Sequence, residues 1–309
     1  MRKTTDDLRT LRDFLRYAVS RFREAGIAYG HGTNDAMDEA AFLLLWGLHL
    51  PIDRIDPFAD ARLTRPEREK LLGLIETRIT TRKPAAYITG EAWIKGHSFV
   101  VDERVIVPRS YIGEMLADPE GTLPLQNREI SRVLDLCSGS GCLAILAAMQ
   151  FPGAEVDAVE LSAPAAEVAR RNIADYGLQS QVRLLTGDLY APVGDRRYDL
   201  IISNPPYVTD DAVADFPPEF AAEPKIAHAG GPDGLDIVRR ILLGAGAHLE
   251  STGELLVEVG SGQLLLTAEF PELPFLWLDT ETSEGEVFLL PAEALAAGAS
   301  TGTPARRRK

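Results

Sequence analysis

Leu8, Leu11, Leu15, Val19 and Phe22 recur every three or four positions over residues 6–24, the spacing of one apolar helix face. Met37, Ala41, Leu44 and Leu48 mark a second helix over 34–48. A third opens at "TRPE", where Thr64 can cap, Pro66 occupies the first turn and Glu67 completes a capping box. It runs on through Leu71, Leu72, Ile75 and Ile79. Together these patterns predict a small helical domain over residues 1–83.

From residue 84 the texture changes to "PAAYITGEAWIKGHSFVVDERVIVPRS", rich in β-branched and aromatic residues and broken by Gly90 and Gly96. This predicts a β-hairpin linker over 84–110. From Arg132 onward, short apolar runs alternate with helical patterns: "RVLDL", "EVDAVE", "VRLLTG", "YDLIIS", "GELLVEVG", "FLWLD" and "EVFLL". Seven strands alternating with helices predict an α/β domain over 111–296, a parallel Rossmann-like sheet with helices on both faces. The end, "AAGASTGTPARRRK", is small, polar and finally basic, and 297–309 is expected to be a disordered tail.

A chain of 309 residues with 45% hydrophobic and 25% charged positions has material for two packed domains. No apolar run approaches the roughly 18 residues of a membrane span, so a cytoplasmic protein is expected. Two cysteines, Cys137 and Cys142, exclude a disulfide framework, and the five histidines show no metal-ligand spacing. The net charge of −14 argues against a fold built to grip nucleic-acid phosphates. An acidic chain suits a basic or neutral partner, or is simply kept soluble by its charge.

Candidate chemistry begins at "RVLDLCSGSGCLAI", a strand, a tight turn through Cys137, Ser138, Gly139, Ser140 and Gly141, and a helix. Glycines in such a turn let a ligand approach the backbone at the positive end of the helix. Gly139, Gly141 and Ala144 also fit the looser dinucleotide pattern, so a nicotinamide enzyme is one alternative. Acids at three successive strand ends separate the options. Asp135 can orient the turn or hold an ammonium group, Glu160 can accept both ribose hydroxyls, and Asp188 can accept from an adenine amino group while Leu189 packs on its ring. A ligand with a ribose, an adenine and a positive charge but no phosphate fits this set, and S-adenosylmethionine is such a ligand.

The fourth strand ends in "NPPY". An amide or aromatic amine nitrogen is a poor nucleophile because its lone pair is delocalised. Two acceptors aimed at its N–H bonds would orient it and favour the positive charge that develops in methyl transfer. The Asn204 side-chain oxygen and the Pro205 carbonyl can supply them, Pro206 stiffens the corner, and Tyr207 can stack on the planar group. Asn204 thereby stands beside both cofactor and substrate.

"NPPY", "DLCSGSGC", "VPRS" and "EPKIAHAGGPDGL" together resemble the HemK-type protein-glutamine methyltransferases over nearly the whole chain. The resemblance implies an N-terminal helical bundle, a hairpin linker and a seven-stranded, class I S-adenosylmethionine-dependent methyltransferase domain. It implies that residues 137–141, Glu160 and Asp188 hold the cofactor and that residues 204–207 bind the target glutamine. One branch modifies the Gly-Gly-Gln motif of peptide release factors, the other large-subunit ribosomal protein three. "PRSYIGE" departs from the first branch, and "FVVDERVIVPRS", "DLCSGSGC", "EVDAVELS" and "FPELPFLWLDTETSEGEVFLL" are closer to the second. A base-directed amino methyltransferase uses the same tetrapeptide and is the alternative from another substrate class. Its demand for a basic approach surface sits poorly with the charge.

Overall fold

In the computed structural model, residues 6–118, 123–125, 129–280 and 283–298 are described. The three amphipathic patterns form helices α1 (Leu11–Glu24), α2 (Ala36–Gly47) and α3 (Arg65–Thr81). Helix α1 starts later than its periodicity because Thr10 and Asp13 close a capping box there, while Thr10 bridges to Arg62. Leu8, before the cap, still joins the same core. At α3 the capping box of Thr64 and Glu67 is formed, with Thr64 N donating to Glu67 Oε2 at 2.7 Å. Phe14, Phe22, Leu43, Leu44, Leu71 and Ile75 fill the core between the three helices. Arg78 is fully buried beside them, its Nε donating to Glu39 at 2.7 Å and its Nη2 to the Ala28 carbonyl at 3.1 Å.

The hairpin is shorter than its sequence texture. Ala85–Thr89 coils into the short helix α4, which Gly90 ends in the left-handed region at φ 74°. Only β1 (Glu91–Ile94) and β2 (His97–Val100) pair, around Lys95 and Gly96, both at positive φ. Residues 101–110 run on without regular structure into α5 (Tyr111–Ala117), capped by Ser110.

The large sheet contains β3 (Arg132–Leu136), β4 (Glu155–Glu160), β5 (Val182–Thr186), β6 (Tyr198–Ser203), β7 (Leu249–Glu258), β8 (Leu276–Leu278) and β9 (Val287–Pro291), in the order β5-β4-β3-β6-β7-β9-β8. All seven expected strands form, but the sheet is mixed rather than parallel. The first five are parallel, whereas β9 runs antiparallel to both β7 and β8. Between β8 and β9 there is no room for a crossover helix, so β9 must turn back and fill the place beside β7. Helices α6 (Cys142–Gln150), α7 (Ala163–Asp175) and α10 (Asp236–His248) cover the sheet, with the short α8 (Asp210–Ala214) and α9 (Pro218–Ala221) after β6. α11 (Gln263–Glu269) follows β7, and α12 (Ala292–Gly298) closes the described chain. Strand alternation sorts the core in two: Val133 and Leu200 pack with α6, Leu134 and Ile201 with α10.

Strand order reverses between β3 and β6, which opens a crevice at the carboxyl ends of β3, β4 and β6. Of the expected tail, residues 299–309 lie outside the described residues.

Candidate active site

At that crevice lies a cavity of about 370 Å³. Its floor is the turn after β3, with Cys137 and Gly139 at the surface. Gly139 and Gly141 have φ of 54° and 79°, and a Cβ on Gly141 would sit 3.2 Å from Ala169 Cβ, so glycine also lets α7 pack closely there. Cys137 and Leu189, both lining the cavity, hold φ of 61° and 47° without being glycine. Backbone strain of this kind concentrates where a ligand contact requires it. Burial pushes the Cys137 thiol up to about 12, so it presents a neutral wall.

Glu160 ends β4 at the cavity edge, Oε2 accepting from Gly139 N at 2.8 Å and Oε1 from Ser162 N at 2.7 Å. These bonds fix the carboxylate and leave each oxygen a further lone pair for a ligand hydroxyl. Asp188 is exposed at the mouth, where its Oδ2 accepts from Arg240 at 2.6 Å. Asp135 does not reach the cavity. It is fully buried behind the turn, where Oδ2 accepts from Ala144 N at 3.1 Å and caps α6. Burial raises its carboxyl to about 7 against the bonds from Ser138 and Ala144. Ser138, Ser140 and Gly141 likewise shape the turn from behind, and only Cys137 and Gly139 of this segment line the space.

The corner after β6 faces the same cavity: Asn204, Pro205, Pro206 and Tyr207 all line it. Asn204 Nδ2 donates to the Arg109 carbonyl at 3.2 Å. Among the described residues no hydrogen bond ends on Asn204 Oδ1 or on the Pro205 carbonyl. The Tyr207 hydroxyl donates to Glu258 Oε1 at 2.9 Å, and its ring edge rests on Gly260, where a Cβ would come within 2.7 Å. Glu258 also accepts from Ser110 Oγ at 2.8 Å and Tyr111 N at 3.0 Å. Burial nonetheless raises its carboxyl to about 7, and burial together with Glu258 raises the Tyr207 phenol.

A loop straps this corner from outside. Val208 N donates to the His228 carbonyl at 2.9 Å and Gly230 N to the Val208 carbonyl at 2.8 Å. Phe216, Phe220 and Ile226 form the apolar rim. Each arginine lining the cavity is paired: Arg104 with Asp102, Arg109 with Glu223, Arg240 with Asp188.

Comparison with known proteins decides the family. The methyltransferase small domain model matches residues 122–219. The ribosomal protein uL3 glutamine methyltransferase of Bradyrhizobium diazoefficiens is 56% identical over 295 residues, 94% of this chain and 92% of that one. Its counterpart from Bordetella pertussis is 50% identical over 289 residues, 94% and 97% of the two chains, and that from Burkholderia pseudomallei 50% over 296, 94% and 96%. The chain belongs to the ribosomal protein uL3 glutamine methyltransferases. Its α/β domain is that of a class I methyltransferase.

Several residues of this methyltransferase site have no local sequence signal. Arg109, Glu223 and Glu258 meet the corner from far along the chain. Glu223 Oε1 accepts from Val107 N at 2.8 Å and Arg109 Nη1 at 2.7 Å, and Oε2 accepts from Arg109 Nη2 at 2.7 Å. Burial opposes its charge, yet Arg109 and His228 hold the carboxyl down at about 2. "VPRS" and "EPK" stand out as segments, but nothing in either indicates that they pair. His228 tethers the loop, its Nε2 3.0 Å from Glu223 Oε2.

Proposed function

We propose that this chain transfers a methyl group from S-adenosylmethionine to the side-chain amide nitrogen of a glutamine in ribosomal protein uL3. The relatives that match it over 94% of its length carry that substrate in their names. The observation that carries the chemistry is the pair of unbonded acceptors, Asn204 Oδ1 and the Pro205 carbonyl, on a cavity shared with Glu160.

The cavity suits the cofactor. Positive-φ backbone at Gly139 admits close approach, Glu160 would accept ribose hydroxyls, and Leu189 and Asp188, which line the same cavity, would hold the adenine. Acidic groups and paired arginines favour a cation over a phosphate. When bound, S-adenosylmethionine supplies an electrophilic methyl on a sulfonium.

The chain's own residues then act on the glutamine. Asn204 Oδ1 and the Pro205 carbonyl accept the two amide N–H bonds, which orients the nitrogen and stabilises the charge it acquires. Tyr207, pinned through its hydroxyl, flanks the planar carboxamide. Phe216, Phe220 and Ile226 exclude water around it. No base is required before attack, since the proton leaves after the methyl has arrived.

Residues 1–83 are proposed as the substrate-binding domain and 84–110 as the linker that carries it. The net charge of −14 would attract a free, strongly basic ribosomal protein, which such an enzyme would meet in the cytoplasm. Among the described residues no helix is long and apolar enough to cross a membrane. A labelled-methyl assay offering uL3, a peptide release factor and RNA side by side tests the reading. Label is expected in a uL3 glutamine, and label in release factor or RNA alone would overturn it.

A further inference from the structure

We infer that Glu223 is a positioning residue that sets the polarity of the Asn204 amide by acting through Arg109. The inference rests on the methyl-transfer role proposed for the Asn204 corner. An amide side chain has two faces of nearly identical shape and opposite chemistry, an acceptor oxygen and a donor NH₂. Only the oxygen suits a substrate amide, which arrives hydrogens first. The NH₂ turned toward it would place donor against donor.

What selects the face is the Arg109 carbonyl. A carbonyl can only accept, so the 3.2 Å bond from Asn204 Nδ2 leaves Oδ1 for the cavity. The position of that carbonyl depends in turn on Glu223. Its carboxylate takes the Val107 backbone N–H at one end of a three-residue segment and both guanidinium arms of Arg109 at the other. Pro108 lies between them and has no N–H to anchor the segment itself. Residues 101–110 carry no helix or strand, so this bidentate clamp replaces the ladder that would otherwise fix the backbone.

Glu223 is itself held from every side. Its side chain is fully buried, His228 Nε2 lies 3.0 Å away and His31 Nε2 3.6 Å away, and the Arg109 guanidinium also stands 5.7 Å from the Phe220 ring centre. The clamp therefore joins the linker, the rim loop and the helical layer at one carboxylate. Nothing about Glu223 touches the cavity directly, since Arg109 and His228 line it and Glu223 does not.

The test is steady-state methylation of uL3 by the full-length enzyme carrying Glu223→Gln, which keeps the shape but puts an NH₂ against the guanidinium. Turnover is expected to fall roughly 10- to 100-fold, the scale of a misplaced reacting group, while the Kd for S-adenosylmethionine stays within about twofold of the parent; the thermal midpoint falls as well, because Arg109 loses its buried partner. Arg109→Lys, which keeps the charge but not the fork, is expected to show the same signature at smaller size. Unchanged turnover in both variants overturns the inference. So does a loss of cofactor affinity as large as the loss of turnover in both, which marks a merely structural staple. Asn204→Ala is run beside them: if it retains full activity, the corner itself has been misassigned, whereas its loss with intact Glu223→Gln turnover removes only the positioning role.

Discussion

Asn204 derives its chemistry from a bond made on its far side. Because Nδ2 is engaged by the Arg109 carbonyl, Oδ1 would meet a substrate amide in the proposed reaction without reorganisation. Asn204→Ala is expected to lower turnover by about 100-fold with little change in cofactor affinity, as for the loss of one preorganised polar group. Single-turnover kinetics beside calorimetric titration of the cofactor would separate the two. Glu160→Ala should do the reverse, weakening cofactor binding first, because its oxygens order the turn at Gly139 as well as facing the cavity. Both residues are legible in the sequence since their meaning comes from neighbours a few positions away. Asp135 is legible only in part: its place at a strand end is plain, but which way the carboxylate turns depends on α6, whose Ala144 N–H it caps. Arg109, Glu223 and Glu258 are silent, because the bonds that tie them to one another's segments and to the corner span 51 to 148 positions.

At the scale of elements, the glycine-rich loop at 230–234 and the corner at 204–208 form one unit. A Cβ on Gly230 would stand 2.5 Å from the Gly234 carbonyl oxygen and 2.7 Å from that of Pro206, and backbone cannot move aside as a side chain can. Gly230→Ala is therefore expected to cost about 1–3 kcal/mol of stability and to lower turnover together with it, read by urea unfolding and the methylation assay on the same preparation. A full loss of turnover with unchanged stability would contradict this coupling. Strand and helix alternation is readable from Arg132 onward because burial on both faces gives unbroken apolar runs. The direction of β9 is not, since an apolar pentamer is the same string in either sense and only the short link to β8 decides. The hairpin is over-read for a related reason: β-branched residues at 101–107 are there to fill a core with α7, as Val101, Val105 and Val107 do beside Val168, and not to pair.

Across the whole molecule, buried charge joins the two layers. Arg78 of α3 meets Glu39 at 2.7 Å within the helical layer and lies 3.6 Å from Glu219 of α9, while Arg82 reaches Glu219 at 2.7 Å. Arg78→Ala would strand buried carboxylates, and a loss of about 3–5 kcal/mol is expected in chemical denaturation. A second global effect follows from Glu258. Its folded carboxyl is raised from 4.5 to about 7, so the folded state holds its proton more tightly, and stability falls as pH rises between those values. Asp135, raised from 3.8 to about 7, acts in the same direction. Glu258→Gln should thus remove a contribution of about one proton to that slope, measured as the urea midpoint against pH from about 4.5 to 7. An unaltered slope would show that the three donors around Glu258 already keep it ionised.

The contact between His31 and Phe220, ring centres 4.1 Å apart, has a bearing on how such enzymes can be recombined. A helical layer grafted from a relative with another target would arrive without its own rim segment, leaving Glu219 and Glu223 facing foreign residues. Chimeras that exchange residues 1–83 alone should misfold at the seam, and those that carry 216–228 along with them should assemble. Retargeting this scaffold is thus a matter of moving two separated stretches as one inherited block.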